Sequence, residues 1–429
     1  MISDMKSAKL CCYFWCYTIK PRLLSVGFYT EVVIILHGVS LGDRATLLQQ
    51  HMDQLCEKIG VRPTGSTKNK EAVDYAFEVL QKCGFQVYAQ EFDCIDWLNF
   101  GALLLVDDQK VQVEPAEYSL PCDIQAEFIC IDTVEVLQKV ELSDKIAVIY
   151  GELCKEPLMP KNFEFYNPEE HKQIIALLEE KHPQAIIVAS PHKEHIIQDG
   201  DFNIPCAVIC ADRLDIFLQS NRRKAKLTIN TERIPVKAHN VIATYGSGCR
   251  DKICFSAHID TKPTTPGALD NASGVSVLLA LAETLTHSDY PFQIEIAILN
   301  GEDYYSTPGE TTYMAGLSPE YLLAVNVDGV GLRGSATSIS FYACPQKLEN
   351  QLMEYVKRTP GFERIEPWPM GDHMIFVAAE IPTIALTACN IFSLIDTLIH
   401  TSEDNLKNID LDILVNVVDF LMKCIDAGV

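Results

Sequence analysis

Positively charged residues are scarce in this 429-residue sequence. Its 35 Lys and Arg residues stand against 58 Asp and Glu residues, which gives a formal net charge of -23 at pH 7. A chain this acidic is not expected to bind nucleic acid or an anionic membrane as its main partner. Apolar residues make up 48% of the chain, enough for sizeable cores, and the length is typical of two domains.

Paired cysteine motifs are also missing. None of the 16 cysteines forms a C-x-x-C pair, so a structural zinc ribbon is not expected. Several cysteines lie inside apolar runs, as Cys206 and Cys210 do in IPCAVIC, and such residues are typical of reduced core cysteines. Together with the lack of a recognisable signal peptide, they favour a cytoplasmic location.

No apolar run is long enough for a stable membrane span. In the first forty residues, two short apolar runs are interrupted by Lys20, Pro21, Arg22 and Glu31. We therefore expect residues 1–40 to form a poorly defined N-terminal extension. The alternative is acylation of its cysteines, or contact of its aromatic residues with a membrane surface.

What the chain does contain is a series of potential metal ligands, each placed where an apolar run ends. They are His258 in FSAHID, Asp270 in PGALDNASG, Glu302 and Asp303 in ILNGED, Asp328 in AVNVDG, and His400 in LIHTSED. The runs KICFSAH, FQIEIAILN and YLLAVNVD have the length of strands, and open α/β sheets bind ligands at the carboxyl ends of their strands. Two imidazoles and several carboxylates at such an edge predict a pocket for two divalent cations that activate a water, and hence a hydrolase.

Helical patterns alternate with these strands. Val277, Leu278 and Leu281 recur at helical spacing after the PGALDNASG segment. The alternation predicts a three-layer α/β/α sandwich with a largely parallel, mixed central sheet. Between the first helices and these strands, the sequence instead indicates short strands and turns. We therefore predict a catalytic domain formed by residues 41–94 and 237–429, with a β-rich domain of residues 95–236 inserted within it.

The motifs resemble, in the same order, those of the co-catalytic di-zinc aminopeptidases, a metallopeptidase family that also includes glutamate carboxypeptidase and glutaminyl cyclase. The matching segments are RPTGS, SAHID, PGALDNASG, NGED, NVDGVG, GDH and HTSED. The middle segments DKIAVIYG, IIALLEEKHPQAIIVAS and NIPCAVIC resemble the protease-associated domain that many members carry. The resemblance spans roughly residues 41 to 429 and implies the zinc-exopeptidase fold with a protease-associated insertion.

The resemblance also implies a place for each metal ligand. Asp270 would bridge two zinc ions, which cobalt or manganese could replace. Asp328 would join His258 on one ion. Asp303 would join His400 on the other.

Four further residues receive roles from the resemblance. Glu302 would be the general base that takes a proton from the attacking water and passes it to the leaving amine. Asp260 would accept a hydrogen bond from the second N–H of the histidine in SAHID, although an Asp there also suits a loop cap. Asp372 and His373, in GDH, would lie near the substrate pocket.

Two departures from the family pattern stand out. Asp303 replaces the second residue of the usual Glu-Glu pair and is one methylene shorter. The segment TIALTACNIFSLIDTLIH also lacks the tyrosine that supports the oxyanion in some relatives, so metal alone or a residue from elsewhere would serve.

The expected function is that of an aminopeptidase, which removes N-terminal residues from peptide substrates. Two alternatives stay open: glutaminyl cyclisation or carboxypeptidase and dipeptidase action on the same scaffold, and a non-catalytic scaffold. The oligomeric state and the preferred substrate side chain are not predicted.

Overall fold

The computed structural model describes residues 41–163, 167–192, 195–220, 222–246, 250–285, 290–318, 320–395 and 397–428. The predicted N-terminal extension lies outside these residues. The strands are β1 Gln86–Val106, β2 Gln109–Val111, β3 Glu114–Pro115, β4 Cys122–Ile131, β5 Ile146–Ile149, β6 Ala185–Ser190, β7 Cys206–Cys210, β8 Lys224–Tyr245, β9 Lys252–His258, β10 Gln293–Leu299, β11 Tyr321–Val327, β12 Thr337–Tyr342, β13 Phe362–Arg364 and β14 Thr383–Ala388.

The α-helices are α1 Leu41–Met52, α2 Thr67–Lys82, α3 Val134–Lys139, α4 Glu169–Lys181, α5 Asp215–Leu218, α6 Ser273–Thr284, α7 Pro308–Met314, α8 Gln346–Val356, α9 His373–Ala378 and α10 Leu411–Ala427. Short π-helical turns cover Asp53–Ile59 and Ala268–Ala272, and 3-10 turns cover Gly151–Cys154, Ala211–Arg213, Ile391–Ser393 and Leu406–Asn408. No helix in the described part of the chain is long and apolar enough to cross a membrane.

Four adjacent strands form the parallel centre of the sheet, in the order β14, β11, β9 and β10. Their mainly apolar sequences are buried along almost their whole length, which is typical of strands covered on both faces. The antiparallel strands β12 and β8 flank them. The central sheet is therefore mixed and largely parallel, which confirms the prediction.

Helices cover both faces of this sheet. Side chains that alternate along β9 point to opposite cores: Ile253 and Phe255 pack with α1, α2, α6, α8 and α10, while Cys254 packs with α7 and α9. Because each face of the sheet is apolar, each requires a helical layer. The predicted three-layer α/β/α sandwich is confirmed.

The strands β1 and β8 are long and pair with each other antiparallel, with one irregularity between Asn99 and Ala102. β8 also pairs with β10 on one side and with β4 on the other, so it joins the central sheet to a second group of strands, in which β4, β5, β6 and β7 run parallel. Cys94 lies opposite Val236, so both predicted domain boundaries fall at paired positions inside continuous strands. The inserted domain and its protease-associated type remain predictions.

Candidate metal centre

Three of the predicted ligand segments meet at one edge of the central sheet. His258 is the last residue of β9 and pairs with Leu299, the last residue of β10. Glu302 and Asp303 follow β10 within four residues, and Asp328 directly follows β11. Since these strands are parallel and adjacent, their carboxyl ends bring the side chains together.

Loops supply the remaining two predicted ligands. Asp270 lies in the turn before α6 and presents its two oxygens to different imidazoles: Oδ1 is 2.9 Å from His258 Nε2 and Oδ2 is 3.1 Å from His400 Nε2. Asp328 Oδ1 is 3.4 Å from the same nitrogen of His258. Asp303 Oδ1 is 3.2 Å from His400 Nε2. Two groups of three ligands with metal-binding spacing result, and Asp270 belongs to both.

The chemistry of these side chains fits divalent cations. Both ring nitrogens of His258 and one carboxylate oxygen of Asp303 are buried without a hydrogen-bond partner among the described residues. Such groups are costly to bury unless another atom binds them, and a cation would satisfy them. Imidazole nitrogens with carboxylate oxygens are a ligand set that suits zinc.

The charges of the cluster act strongly on one another. Burial alone would lower the pKa of His258, but the carboxylates of Asp328, Asp260 and Asp270 raise it well above its usual value. Burial alone would raise the pKa of Asp270, whereas the close imidazoles of His258 and His400 hold it below its usual range. The pocket therefore favours positive charge at its centre.

Glu302 lies beside the cluster and faces the cavity above it. Its Oε2 atom is 4.0 Å from His258 Nε2, and its side chain is 24% exposed. Burial raises the pKa of Glu302 well above its usual value, and the neighbouring carboxylates add to this effect. Glu302 also forms a third possible metal-binding group with His258 and Asp303, so the spacing fits either a ligand or a base.

Asp260 is fully buried and binds the loop that carries Glu302 and Asp303. One oxygen accepts the backbone N–H of Gly301 at 2.8 Å, and the other accepts the N–H of Asp303 at 3.1 Å. The Thr64 hydroxyl, from the RPTGS segment, donates to it at 2.8 Å. Asp260 Oδ1 is 3.6 Å from His258 Nδ1, longer than a hydrogen bond, so in this structure Asp260 mainly fixes the loop.

Other positioning residues were not among the predicted site residues. Asp404, within the quoted HTSED segment, accepts the backbone N–H groups of Leu269 at 2.7 Å and Asp270 at 3.0 Å. The Asn271 amide donates to the carbonyl of Val327 at 2.9 Å, which ties this turn to the end of β11. The only sequence signal for Asp404 was its place in the motif.

Asp372 is buried, and neither of its carboxylate oxygens has a hydrogen-bond partner among the residues the structure describes. Burial, and then the neighbouring carboxyl group of Glu310, raise the pKa of Asp372 well above its usual value. Burial likewise raises the pKa of Glu310 to about 7, and this residue lines the metal cavity. No sequence motif pointed to Glu310.

His373 is part of a cavity wall built around Trp368. Its Nε2 atom lies 3.0 Å from the carbonyl oxygen of Trp368, and burial lowers the pKa of His373 to about 4, so the neutral ring donates here. The Tyr342 hydroxyl donates to the same carbonyl and accepts the N–H of Trp368, both at 2.8 Å. The indole packs edge-to-face on Phe392 at 5.9 Å. Four rings thus hold this wall in place.

The cavity above the cluster has a volume of about 390 Å³, in the range of small-molecule sites. Glu302 and four of the predicted ligands, Asp270, Asp303, Asp328 and His400, line its floor, whereas His258 is fully buried. One wall contains Trp368, Met370, Met374 and Phe392, and further lining residues come from 157–163, which belong to the predicted insertion. Met370 and Phe392 are 48% and 45% exposed, so large apolar side chains face this space.

Residues 240–425 match the family model for peptidase family M28. Among curated proteins, the probable lipoprotein aminopeptidase LpqL of Mycobacterium tuberculosis is 22% identical over 331 residues, which covers 73% of this chain and 63% of that protein. The match therefore spans less than two thirds of that relative.

Among solved structures, a zinc aminopeptidase from Bacillus subtilis has a TM-score of 0.71 at 18% identity, covering 89% of this chain and 94% of that one. An aminopeptidase from Aneurinibacillus sp. strain AM-1 has a TM-score of 0.70 at 21% identity, covering 89% and 92%. These likenesses show a shared fold. The match to the peptidase family M28 model covers residues 240–425, which include all five predicted metal ligands, and it confirms the resemblance to the zinc exopeptidases.

Proposed function

We propose that the protein is a metallo-aminopeptidase that removes N-terminal residues from peptides with a dinuclear zinc centre. The observation that carries this proposal is the pair of ligand groups sharing Asp270, at the floor of a cavity lined by apolar side chains. The similar proteins described above are named as aminopeptidases, which also supports the proposal. The carboxyl group of Glu310, which lines the cavity and is in neither ligand group, would suit the free α-amino group of a peptide substrate.

His258, Asp328 and Asp270 would hold one ion, and Asp303, His400 and Asp270 the other. When bound, the ions would polarise the scissile carbonyl and make a water acidic enough to attack at neutral pH. Glu302 would take the proton from the attacking water and deliver it to the leaving amine. The loop that carries Glu302 would be held in position by Asp260.

The apolar cavity would receive the side chain of the N-terminal residue. Trp368 and Phe392 form part of its lining, and so do residues within 157–163, so the predicted insertion would limit the size of what enters. Burial of a large apolar side chain stabilises a complex in proportion to the area removed from water. We therefore expect leucine and phenylalanine to be preferred over alanine at the N-terminus.

The central test is hydrolysis of a panel of aminoacyl-p-nitroanilides by the purified protein, with and without a chelator. We expect leucyl-p-nitroanilide to be cleaved only without chelator, and N-acetyl-leucyl-p-nitroanilide not to be cleaved, because the acetyl group removes the α-ammonium charge. Glutaminyl peptides separate the cyclase alternative: a cyclase releases ammonia and leaves the peptide bond intact. Cleavage of the acetylated substrate, or ammonia release alone, would contradict the proposal.

The specificity wall is the part of the cavity wall that contains Trp368 and Phe392, and Phe392→Ala tests whether it selects the N-terminal side chain. Removing this ring should lower the kcat/KM ratio of phenylalanyl over alanyl substrates by about five- to thirtyfold, since apolar contacts of this size are worth roughly 1–2 kcal/mol. Phe100→Ala is the matched control, because Phe100 is 67% exposed and lies away from the cavity lining. An unchanged kcat/KM ratio in Phe392→Ala would show that this wall does not determine which N-terminal side chain is preferred.

The cytoplasm is our proposal for the location. The twelve cysteines in the described part of the chain are all free, and most are buried or half-buried, which supports a reducing environment. Fractionation of cells that express the protein checks this, and recovery from a membrane or secreted fraction would contradict it.

A further inference from the structure

A second cavity, of about 610 Å³, adjoins the first. Three residues line both cavities, namely Gln198, Lys262 and His400, so the junction lies beside a predicted metal ligand. The walls of the second cavity come from the RPTGS segment, from residues 262–264 and from the predicted insertion. A substrate whose scissile bond lies at the metal centre, with its N-terminal side chain in the first cavity, would therefore direct its leaving part toward the junction.

Charge at the junction differs from charge on the cavity floor. The first cavity is lined by the carboxylates of the cluster, and the only Lys or Arg that the structure places in its lining is Lys262. The Lys262 ammonium group donates to the Gln198 side-chain oxygen at 3.3 Å, and both residues line both cavities, so its charge lies at the junction. The carboxylates that line only the second cavity, Asp96, Glu114 and Glu117, lie beyond it.

We propose that Lys262 binds the α-carboxylate of the leaving residue when that residue is the last of the peptide, so that the enzyme prefers dipeptides with a free carboxyl terminus. This inference rests on the proposed aminopeptidase function and deepens it. An ammonium group that meets a carboxylate in a partly desolvated cleft makes a charge-assisted hydrogen bond, which is stronger than a neutral one. The carboxylates of the second cavity would repel acidic leaving side chains, so alanine is the suitable leaving residue for a test.

The experiment compares kcat/KM for leucyl-alanine and leucyl-alaninamide, which differ by the terminal charge alone. We expect the wild-type protein to prefer the free acid by about tenfold, the typical effect of one such bond. Lys262→Gln should bring the ratio close to one, and Lys262→Arg, which keeps the charge, should restore much of it. Lys68→Gln is the matched control, since Lys68 lines only the second cavity and pairs with Glu71 at 2.7 Å, and it should retain the preference.

Equal hydrolysis of the two substrates by the wild-type protein, or an undiminished preference in Lys262→Gln, would overturn the inference. The wild-type comparison is decisive even if a Lys262 variant does not fold. Failure of the proposed function looks different: neither dipeptide nor leucyl-p-nitroanilide would then be cleaved by the metal-loaded protein.

Discussion

Replacing Glu302 with glutamine is expected to reduce kcat by ~10²-fold or more, the usual effect of removing a proton-transferring group, while the metal content stays at the wild-type level. Glutamine has nearly the size and shape of glutamate, but its amide cannot accept the proton from the attacking water. The side chain is 24% exposed at the cavity floor, so the substitution leaves the buried ligands in place. Steady-state kinetics on leucyl-p-nitroanilide, with metal analysis of the same samples, measures both quantities.

Asp303→Asn is the matched comparison for this change. Asp303 lies next to Glu302 in the chain, and its Oδ1 atom is 3.2 Å from His400 Nε2, so this substitution should weaken the binding of one ion. Both carboxylates lie close enough to His258 to bind one metal ion together with it. Comparing the metal content of the two variants therefore shows which residue is a ligand and which is the base. Loss of metal from Glu302→Gln, with full metal retention in Asp303→Asn, would exchange the two roles.

Substituting either imidazole of the cluster should remove metal as well as activity. His258→Ala deletes a ring whose two nitrogens have no hydrogen-bond partner among the described side chains, and His400→Ala deletes the other imidazole. We expect each variant to lose at least one ion per chain and to show only the residual activity of the chelated wild-type protein, because a site left with two carboxylates binds zinc poorly.

His182→Ala serves as the control for the histidine variants, because His182 ends helix α4, outside the cavity lining and the ligand groups. It should keep its metal and its activity. A His400→Ala protein that retained two ions and full turnover would remove this residue from the ligand set.

Much of the metal site could be predicted because several of its side chains lie where strands end. His258 and Asp328 are at or just past the ends of parallel strands, so one edge of the sheet unites residues far apart in sequence. The loops were less predictable. The turn before α6 owes its position to Asp404 and Asn271, whose partners are backbone groups that no side-chain pattern reveals.

Asp260 shows which contacts the sequence left open. Its oxygens accept hydrogen bonds from the loop after β10 and from Thr64, and its expected hydrogen bond from the His258 ring stays a prediction. The specificity wall was beyond prediction for a similar reason. It forms where the rings of Trp368 and Phe392, 24 positions apart in sequence, contact each other, and no local pattern encodes that contact.

The central claim is that catalysis requires two ions held by ligand groups that share Asp270, and a metal titration tests it most directly. The chelator-treated protein receives zinc in sub-stoichiometric steps, and hydrolysis of leucyl-p-nitroanilide is followed beside the number of ions bound per chain. We expect two ions to bind per chain and full activity to require both. Full activity with a single bound ion would contradict it.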